Sequence, residues 1–297
     1  MDDVAADDRA TDDGAADDGA NGELVTDDEP ASPLWYELRA VSRTLAASEG
    51  LLVGLDFDGT LTSIEPDPDE PSLPLENRTA IRRLAAHDRI QPAVISGRKL
   101  SDLRARVDVD GVAYAGNHGL ELHVDGRTVT HPIADRRRED VADVAGALAD
   151  AFASVPGCVV EDKAVTATVH YRRAPTERVD WIRATVAETV DRFAGDQLQL
   201  STGKDVFEIG PAVRWDKGSA IRLLSDRVPT SWRTCYLGDD TTDERAFRAL
   251  HRDELGIHVG HGPTAASLRL ADPADVELFL RWLVVCGSVL LERPPSR

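Results

Sequence analysis

The sequence predicts an α/β fold: a doubly wound parallel sheet, Rossmann-like in its order, that carries an inserted α+β cap. Three observations lead there. Short apolar runs alternate with stretches of helical period, the pattern of strand–helix–strand units. Three of those runs end in polar clusters, where parallel strands present their functional ends. The middle of the chain changes to paired β segments around turn residues, and the alternation then resumes.

In chain order, residues 34–47 read as an amphipathic helix. The run LLVGL at 51–55 reads as a buried strand ending at Asp56-Phe57-Asp58-Gly59-Thr60. A helix at 76–87 leads to a second strand, PAVI at 92–95, which ends at Ser96-Gly97-Arg98. A helix at 100–106 and a third strand at 112–115 follow. Residues 120–129 read as a hairpin turning at Asp125-Gly126. A helix at 139–153, a hairpin at 158–171, a helix at 177–193 and further strand at 198–209 complete the insertion. Beyond it come a helix at 217–227 and the strand TCYL at 234–237, ending at Gly238-Asp239-Asp240. A helix at 243–250, a strand at 257–259 and a final helix close the chain. The expected division is a core of 34–118 and 212–297, a cap of 119–211, and a separate tail of 1–30.

That tail holds twelve acids against Arg9 alone. Such a segment cannot bury enough apolar area to offset its ordering entropy, so disorder is expected. The net charge of −19 argues against a nucleic-acid partner and against an anionic membrane surface. Only four lysines, Lys99, Lys163, Lys204 and Lys217, stand against 30 arginines. Acid excess with few lysines reads as halophilic adaptation to a salty cytoplasm, with compositional drift as the alternative. No signal or transit segment is evident, and Cys158, Cys235 and Cys286 show no close pairing. A reducing, cytoplasmic compartment is expected, with all three cysteines buried as small apolar residues and the protein a monomer. The longest apolar stretch, 278–291, is too short to span a bilayer and carries Arg281.

A single acid after a strand is usually a turn former or helix cap. Three polar strand ends, Asp56-x-Asp58, Ser96-Gly-Arg98 and Asp239-Asp240-x-x-Asp243, point instead to a shared site. Residues two apart on an extended segment face the same side, so Asp56 and Asp58 act together. Asp56 suits nucleophilic attack on phosphorus, giving an aspartyl phosphate. Asp58 suits protonation of a poor alkoxide leaving group and later activation of water. These acids would repel a phosphate unless a Mg²⁺ ion bridged them, held by Asp56, the backbone carbonyl of Asp58 and Asp239, with Asp240 or Asp243 direct or through water. Ser96 and Lys217 would neutralise the phosphoryl oxygens.

Asp56-Phe57-Asp58-Gly59-Thr60-Leu61, Ser96, Lys217 and Gly238-Asp239-Asp240 resemble, in order, the four motifs of haloacid-dehalogenase phosphatases. The finer pattern resembles the trehalose-6-phosphate phosphatase family: Gly116-Asn117-His118-Gly119-Leu120-Glu121, Glu161-Asp162-Lys163, Val169-His170-Tyr171-Arg172, Gly203-Lys204 with Glu208, Asp216-Lys217-Gly218, and the stretch from Gly238 to Phe247. That family usually has tyrosine at Phe57 and asparagine at Asp216, and often arginine at Gly210. The resemblance implies a haloacid-dehalogenase core, a Mg²⁺ cofactor, a small phosphosugar as substrate, and substrate contacts at Thr60, Arg98, Asn117, His118, Glu121, Glu161, Lys163, Arg172, Lys204 and Glu208. The residues support a polyol: Glu161 with Lys163, and Lys204 with Glu208, pair acceptors and donors as sugar hydroxyls require. Surface salt bridges are the bland alternative for these pairs, and a hinge network is the alternative for Asn117, His118 and Glu121. Arg98 could contact the sugar or cap a helix, and His170 reads as a packed strand residue. A phosphatase for sucrose phosphate or mannosyl phosphoglycerate shares the same core motifs, and a catalytically silent sugar-phosphate sensor remains a further alternative.

Overall fold

A computed structural model of the chain describes residues 31–64, 72–203 and 205–292. The acidic start, expected to be disordered, and Lys204 lie outside the described residues. The strands are β1 (Ser32–Pro33), β2 (Gly50–Leu55), β3 (Ile90–Ile95), β4 (Ala113–Gly116), β5 (Glu121–Val124), β6 (Arg127–Thr130), β7 (Val159–Asp162), β8 (Ala167–His170), β9 (Leu198–Gly203), β10 (Val206–Pro211), β11 (Trp232–Gly238), β12 (Leu255–Val259) and β13 (Leu268–Leu270). The helices are α1 (Leu38–Ala46), α2 (Leu75–Ala85), α3 (Leu100–Val107), α4 (Pro132–Arg136), α5 (Arg138–Phe152), α6 (Val179–Ala194), α7 (Lys217–Ser225), α8 (Asp243–Ala249), α9 (Pro273–Trp282) and α10 (Ser288–Glu292).

Among the described residues, nine strands form one sheet in the order β1-β13-β12-β11-β2-β3-β4-β5-β6. Pairing is parallel from β1 to β4 and antiparallel at β4–β5 and β5–β6. The chain runs outward from β2 in one direction and from β11 in the other, so the strand order reverses between these two neighbours. Ligands of such sheets bind beyond the carboxyl ends of the strands at that point.

Every residue of β2 is buried, because helices cover both faces. Side chains alternate between the faces. Leu51, Val53 and Leu55 pack with Leu45 of α1, Ile81 of α2, Leu103 of α3 and Phe279 of α9. Leu52 faces the other way, toward Ile221 and Leu224 of α7 and Phe247 of α8. The second sheet, β7-β8-β10-β9, is antiparallel throughout. Its inner face, with Val169, Phe207 and Ile209, buries against Val141, Val144 and Leu148 of α5 and Ile182, Val186 and Val190 of α6.

Several details depart from the sequence expectation. The first helix begins at Leu38 after a 3₁₀ turn at Leu34–Tyr36. The short strands β1 and β13 and the helix α4 carry no periodic signal long enough to read. The hairpin β5–β6, grouped above with the insertion, is hydrogen-bonded to β4 and extends the large sheet. The backbone therefore leaves that sheet only after Thr130 and returns after Pro211. The two crossings touch, with the ring centroids of His131 and Trp215 4.9 Å apart. Of the cysteines only Cys235 is buried, within β11; Cys158, just before β7, is half-buried, and Cys286 is exposed. Among the described residues no helix is long and apolar enough to cross a membrane.

Candidate active site

The carboxyl ends of β2 and β11 are stitched together by the backbone of Asp56, whose N–H donates to the carbonyl of Leu237 at 2.9 Å. The chain then turns tightly, with the amides of Leu61 and Thr62 both donating to the carbonyl of Phe57 at 3.0 Å. Gly59 makes the turn at φ +84°, and a Cβ there would lie 2.1 Å from Asp239 Oδ2. Glycine thus allows both the left-handed backbone and the close approach of the Asp239 carboxylate. Thr60, expected among the substrate contacts, is fully buried and donates to Asp239 Oδ1 at 3.2 Å instead.

Lys217 opens α7, whose start is capped by Asp216 accepting from the Ser219 amide at 2.9 Å. Its ammonium donates to Asp56 Oδ1 and to Asp243 Oδ1, each at 2.8 Å, with 3% of its side chain exposed. Asp243 Oδ1 also accepts from the Tyr236 hydroxyl at 2.7 Å, and Oδ2 accepts from the amides of Asp239 and Asp240 at 3.1 Å each. Asp240 Oδ1 accepts from the amide and hydroxyl of Thr242, both at 2.6 Å, and so shapes the start of α8.

One ammonium therefore serves several buried acids. Burial pushes the Asp56 carboxyl well above the usual carboxylate range; Lys217 opposes this, while Asp243, Asp239 and Asp240 add to it. Burial, then Asp243 and Asp240, push Asp239 up to about 7. Burial opposes the charge on Lys217, but Asp243, Asp56 and Asp240 outweigh it and keep the ammonium firmly protonated. Burial and the same acids hold the Tyr236 phenol protonated. Asp56, Asp239 and Asp243 each bring a carboxylate oxygen within 4.8 Å of the others. Oxygen-only donors with unbalanced negative charge suit a hard divalent cation. Asp243 already accepts from four protein donors, so Asp56 and Asp239 are the better placed to hold one.

On the β3 side, Ser96 is buried and its hydroxyl oxygen accepts from the Arg98 amide at 3.2 Å. The Arg98 guanidinium grips Asp58 in a bidentate pair, at 2.8 and 2.7 Å, and reaches Asp102 at 3.1 Å. It lies over the Phe57 ring, 5.4 Å from its centroid. Arg98 is thus tied to the second carboxylate of the Asp-x-Asp pair, and its charge also reaches Glu161 of the smaller sheet.

The smaller sheet faces these loops. Lys163 is buried and its ammonium donates to the Gly97 carbonyl at 3.2 Å, with Glu161 3.9 Å away. Glu161 is also held by His170 at 2.9 Å. Burial opposes ionisation of Glu161, but His170 and Lys163 prevail and lower its pKa. Glu208 meets His118 Nε2 at 3.4 Å. Burial again opposes ionisation, but His118 and then Lys163 lower the Glu208 pKa to about 2. His118 packs so closely on Gly97 that a Cβ there would lie 2.7 Å from the imidazole.

Three expected substrate contacts, Asn117, Glu121 and Arg172, bond to other protein groups. Asn117 is fully buried; its amide donates to Glu121 at 2.8 Å and to the Lys163 carbonyl at 3.2 Å, and accepts from Thr166 at 2.6 Å. Glu121 is taken up by Asn117 and by Arg138 at 3.5 Å. These groups form a polar network that joins the end of β4 to the loop between β7 and β8 and to α5. Arg172 pairs with Asp205 at 3.2 Å, half-exposed beyond the end of β8. Tyr236, Thr166 and Arg138 were not legible as site residues: Tyr236 sits within β11, Thr166 between β7 and β8 and Arg138 at the start of α5, segments with no motif of their own.

The sheet, the strand reversal and the acids at the ends of β2 and β11 define the fold of haloacid-dehalogenase-type hydrolases. A trehalose-phosphate phosphatase of Mycobacterium marinum is 36% identical over 258 residues, which cover 82% of this chain and 65% of that protein. An uncharacterized glycosyl hydrolase of Mycobacterium tuberculosis is 40% identical over 243 residues, 78% of this chain but 18% of its own length. A crystal structure of a trehalose-6-phosphate phosphatase related protein superposes with a TM-score of 0.71 at 25% identity, covering 80% of this chain and 98% of the other. The chain thus spans less than two thirds of the curated relatives it matches. The sequence model of the trehalose-phosphatase family matches residues 54–274, and the chain belongs to that family.

Proposed function

We propose that the protein hydrolyses trehalose 6-phosphate to trehalose and phosphate, as a Mg²⁺-dependent phosphoric monoester hydrolase of trehalose biosynthesis. The observation that carries this reading is the meeting of Asp56 and Asp239, from the carboxyl ends of β2 and β11, with Lys217 and Asp243, from the first turns of α7 and α8. Asp56 attacks phosphorus and forms an aspartyl phosphate. Asp58, protonated from solvent once Arg98 releases it, gives that proton to the sugar oxygen as its bond to phosphorus breaks; it then takes a proton from the water that attacks the aspartyl phosphate and releases Asp56 and phosphate. Lys217 and Ser96 hold phosphoryl oxygens as their charge shifts. Asp56, Asp239 and the carbonyl of Asp58 would hold Mg²⁺, which supplies charge neutralisation. Residues 119–211 act as a cap, with the β5–β6 hairpin anchored on the core, and Glu161, Lys163, His118 and Glu208 present the polar surface to the sugar. The protein is read as a cytoplasmic monomer acting on this small molecule.

The test is phosphate release, with Mg²⁺, from trehalose 6-phosphate, sucrose 6-phosphate and mannosyl phosphoglycerate, using the wild type and Asp56→Asn. Preference for the first and silence in the variant are expected. Equal rates on all three remove the trehalose assignment, and turnover by Asp56→Asn removes the covalent route.

A further inference from the structure

Tyr236 lies in β11 at the middle of the large sheet, fully buried, and has no part in the reaction steps above. In register it stands between two glycines, Gly54 on β2 and Gly256 on β12. A Cβ on Gly54 would come within 2.6 Å of Tyr236 Cδ2, so β2 leaves open the space that the ring fills. Phe247 closes against the ring edge-on, with centroids 5.7 Å apart. Packing therefore fixes where the hydroxyl stands. Packing alone asks for no hydroxyl, since a phenylalanine fills the same volume, and a buried hydroxyl is costly unless bonded.

Its bond goes to Asp243 Oδ1 at 2.7 Å, the same oxygen that receives Lys217 at 2.8 Å. The two oxygens of Asp243 thereby divide their work. Oδ2 gathers the amides of Asp239 and Asp240 and shapes the loop carrying the acids. Oδ1 is shared by a fixed hydroxyl and by the ammonium that also holds Asp56 at 2.8 Å. We propose that Tyr236 is a positioning residue for the phosphoryl site, holding Asp243 Oδ1 so that Lys217 stays centred between Asp243 and Asp56. Without the hydroxyl, Lys217 becomes the sole side-chain donor to Oδ1 and is drawn toward Asp243, away from Asp56 and the phosphoryl oxygens. The inference rests on the reading of Lys217 as the phosphate-neutralising cation.

Tyr236→Phe keeps the ring and removes the hydroxyl. The expected result is a kcat/KM on trehalose 6-phosphate lower by about tenfold, the scale of one hydrogen bond to a charged group. Binding of inorganic phosphate, followed by calorimetry, weakens by about the same factor. Mg²⁺ affinity, which depends on the Oδ2 side of the loop, stays within about twofold. In a Lys217→Gln background the substitution costs no further phosphate affinity; an equal loss there overturns the proposal. Should Lys217→Gln not fold, the single variant decides: a lowered melting temperature with kcat/KM and phosphate affinity unchanged overturns it as well. A wild-type protein that releases no phosphate from any phosphosugar removes the underlying site reading. An active wild type matched by Tyr236→Phe sinks the inference alone.

Discussion

Gly59→Ala tests how closely the two acid-bearing loops must approach. A Cβ at this position would stand 2.1 Å from Asp239 Oδ2 and 2.4 Å from its Cγ. Non-bonded heavy atoms settle at about 3.5 Å, so the carboxylate must retreat by roughly 1.1–1.4 Å or the turn must open. The backbone adds its own cost: φ of +84° places alanine in the left-handed region, at about 1–2 kcal/mol. That strain lowers the melting temperature by a few degrees and leaves the fold in place. The displacement matters more, because a misplacement near 1 Å in a reacting constellation costs about 10²-fold in rate. Steady-state kinetics and Mg²⁺ titration calorimetry on the purified variant are the assays. The expected outcome is a kcat lower by about 10²-fold together with weakened Mg²⁺ binding. A variant within about threefold of wild type in both would refute the claim that this glycine sets the distance between the loops.

Glu208 ionises with a pKa of about 2 against an ordinary value of 4.5, so its pairing stabilises the fold fully above the ordinary value and the contribution is lost as pH falls toward the lower one. The difference in melting temperature between wild type and Glu208→Gln should therefore shrink as pH falls from 6 to 2.5; a difference independent of pH contradicts the pairing with His118. Lys163→Ala should raise KM for trehalose 6-phosphate by about tenfold, as expected for a lost charge-assisted hydrogen bond, while turnover of a small aryl phosphate stays within about twofold. Equal losses on both substrates would place Lys163 in the phosphoryl step instead of the sugar subsite.

The acid-bearing strand ends were legible because the signal is local. A short apolar run, a carboxylate two residues from another and a glycine to turn the chain all lie within one segment, as at 51–60. What stayed hidden depends on partners remote in sequence. The β5–β6 hairpin reads as a hairpin from Asp125-Gly126, but its place on β4 is settled by tertiary pairing. Arg98 reads as a sugar contact or a helix cap, and its pairing with Asp58 shows only once the fold brings them to 2.7 Å. Asn117 and Glu121 sit in a motif that suggests ligand contact, yet Thr166 and Arg138 arrive from other elements and absorb their capacity. Lone cysteines offer no period to place them on a face, which is why Cys286 was misjudged.

The touching rings of His131 and Trp215 limit how the proposed cap can move. Its only two covalent ties to the core lie side by side, like paired pins of a single hinge. Sliding would shear one tie against the other, whereas rotation about their common line stretches neither. A cap tied in this way would have one soft degree of freedom, rotation about the line on which His131 and Trp215 meet.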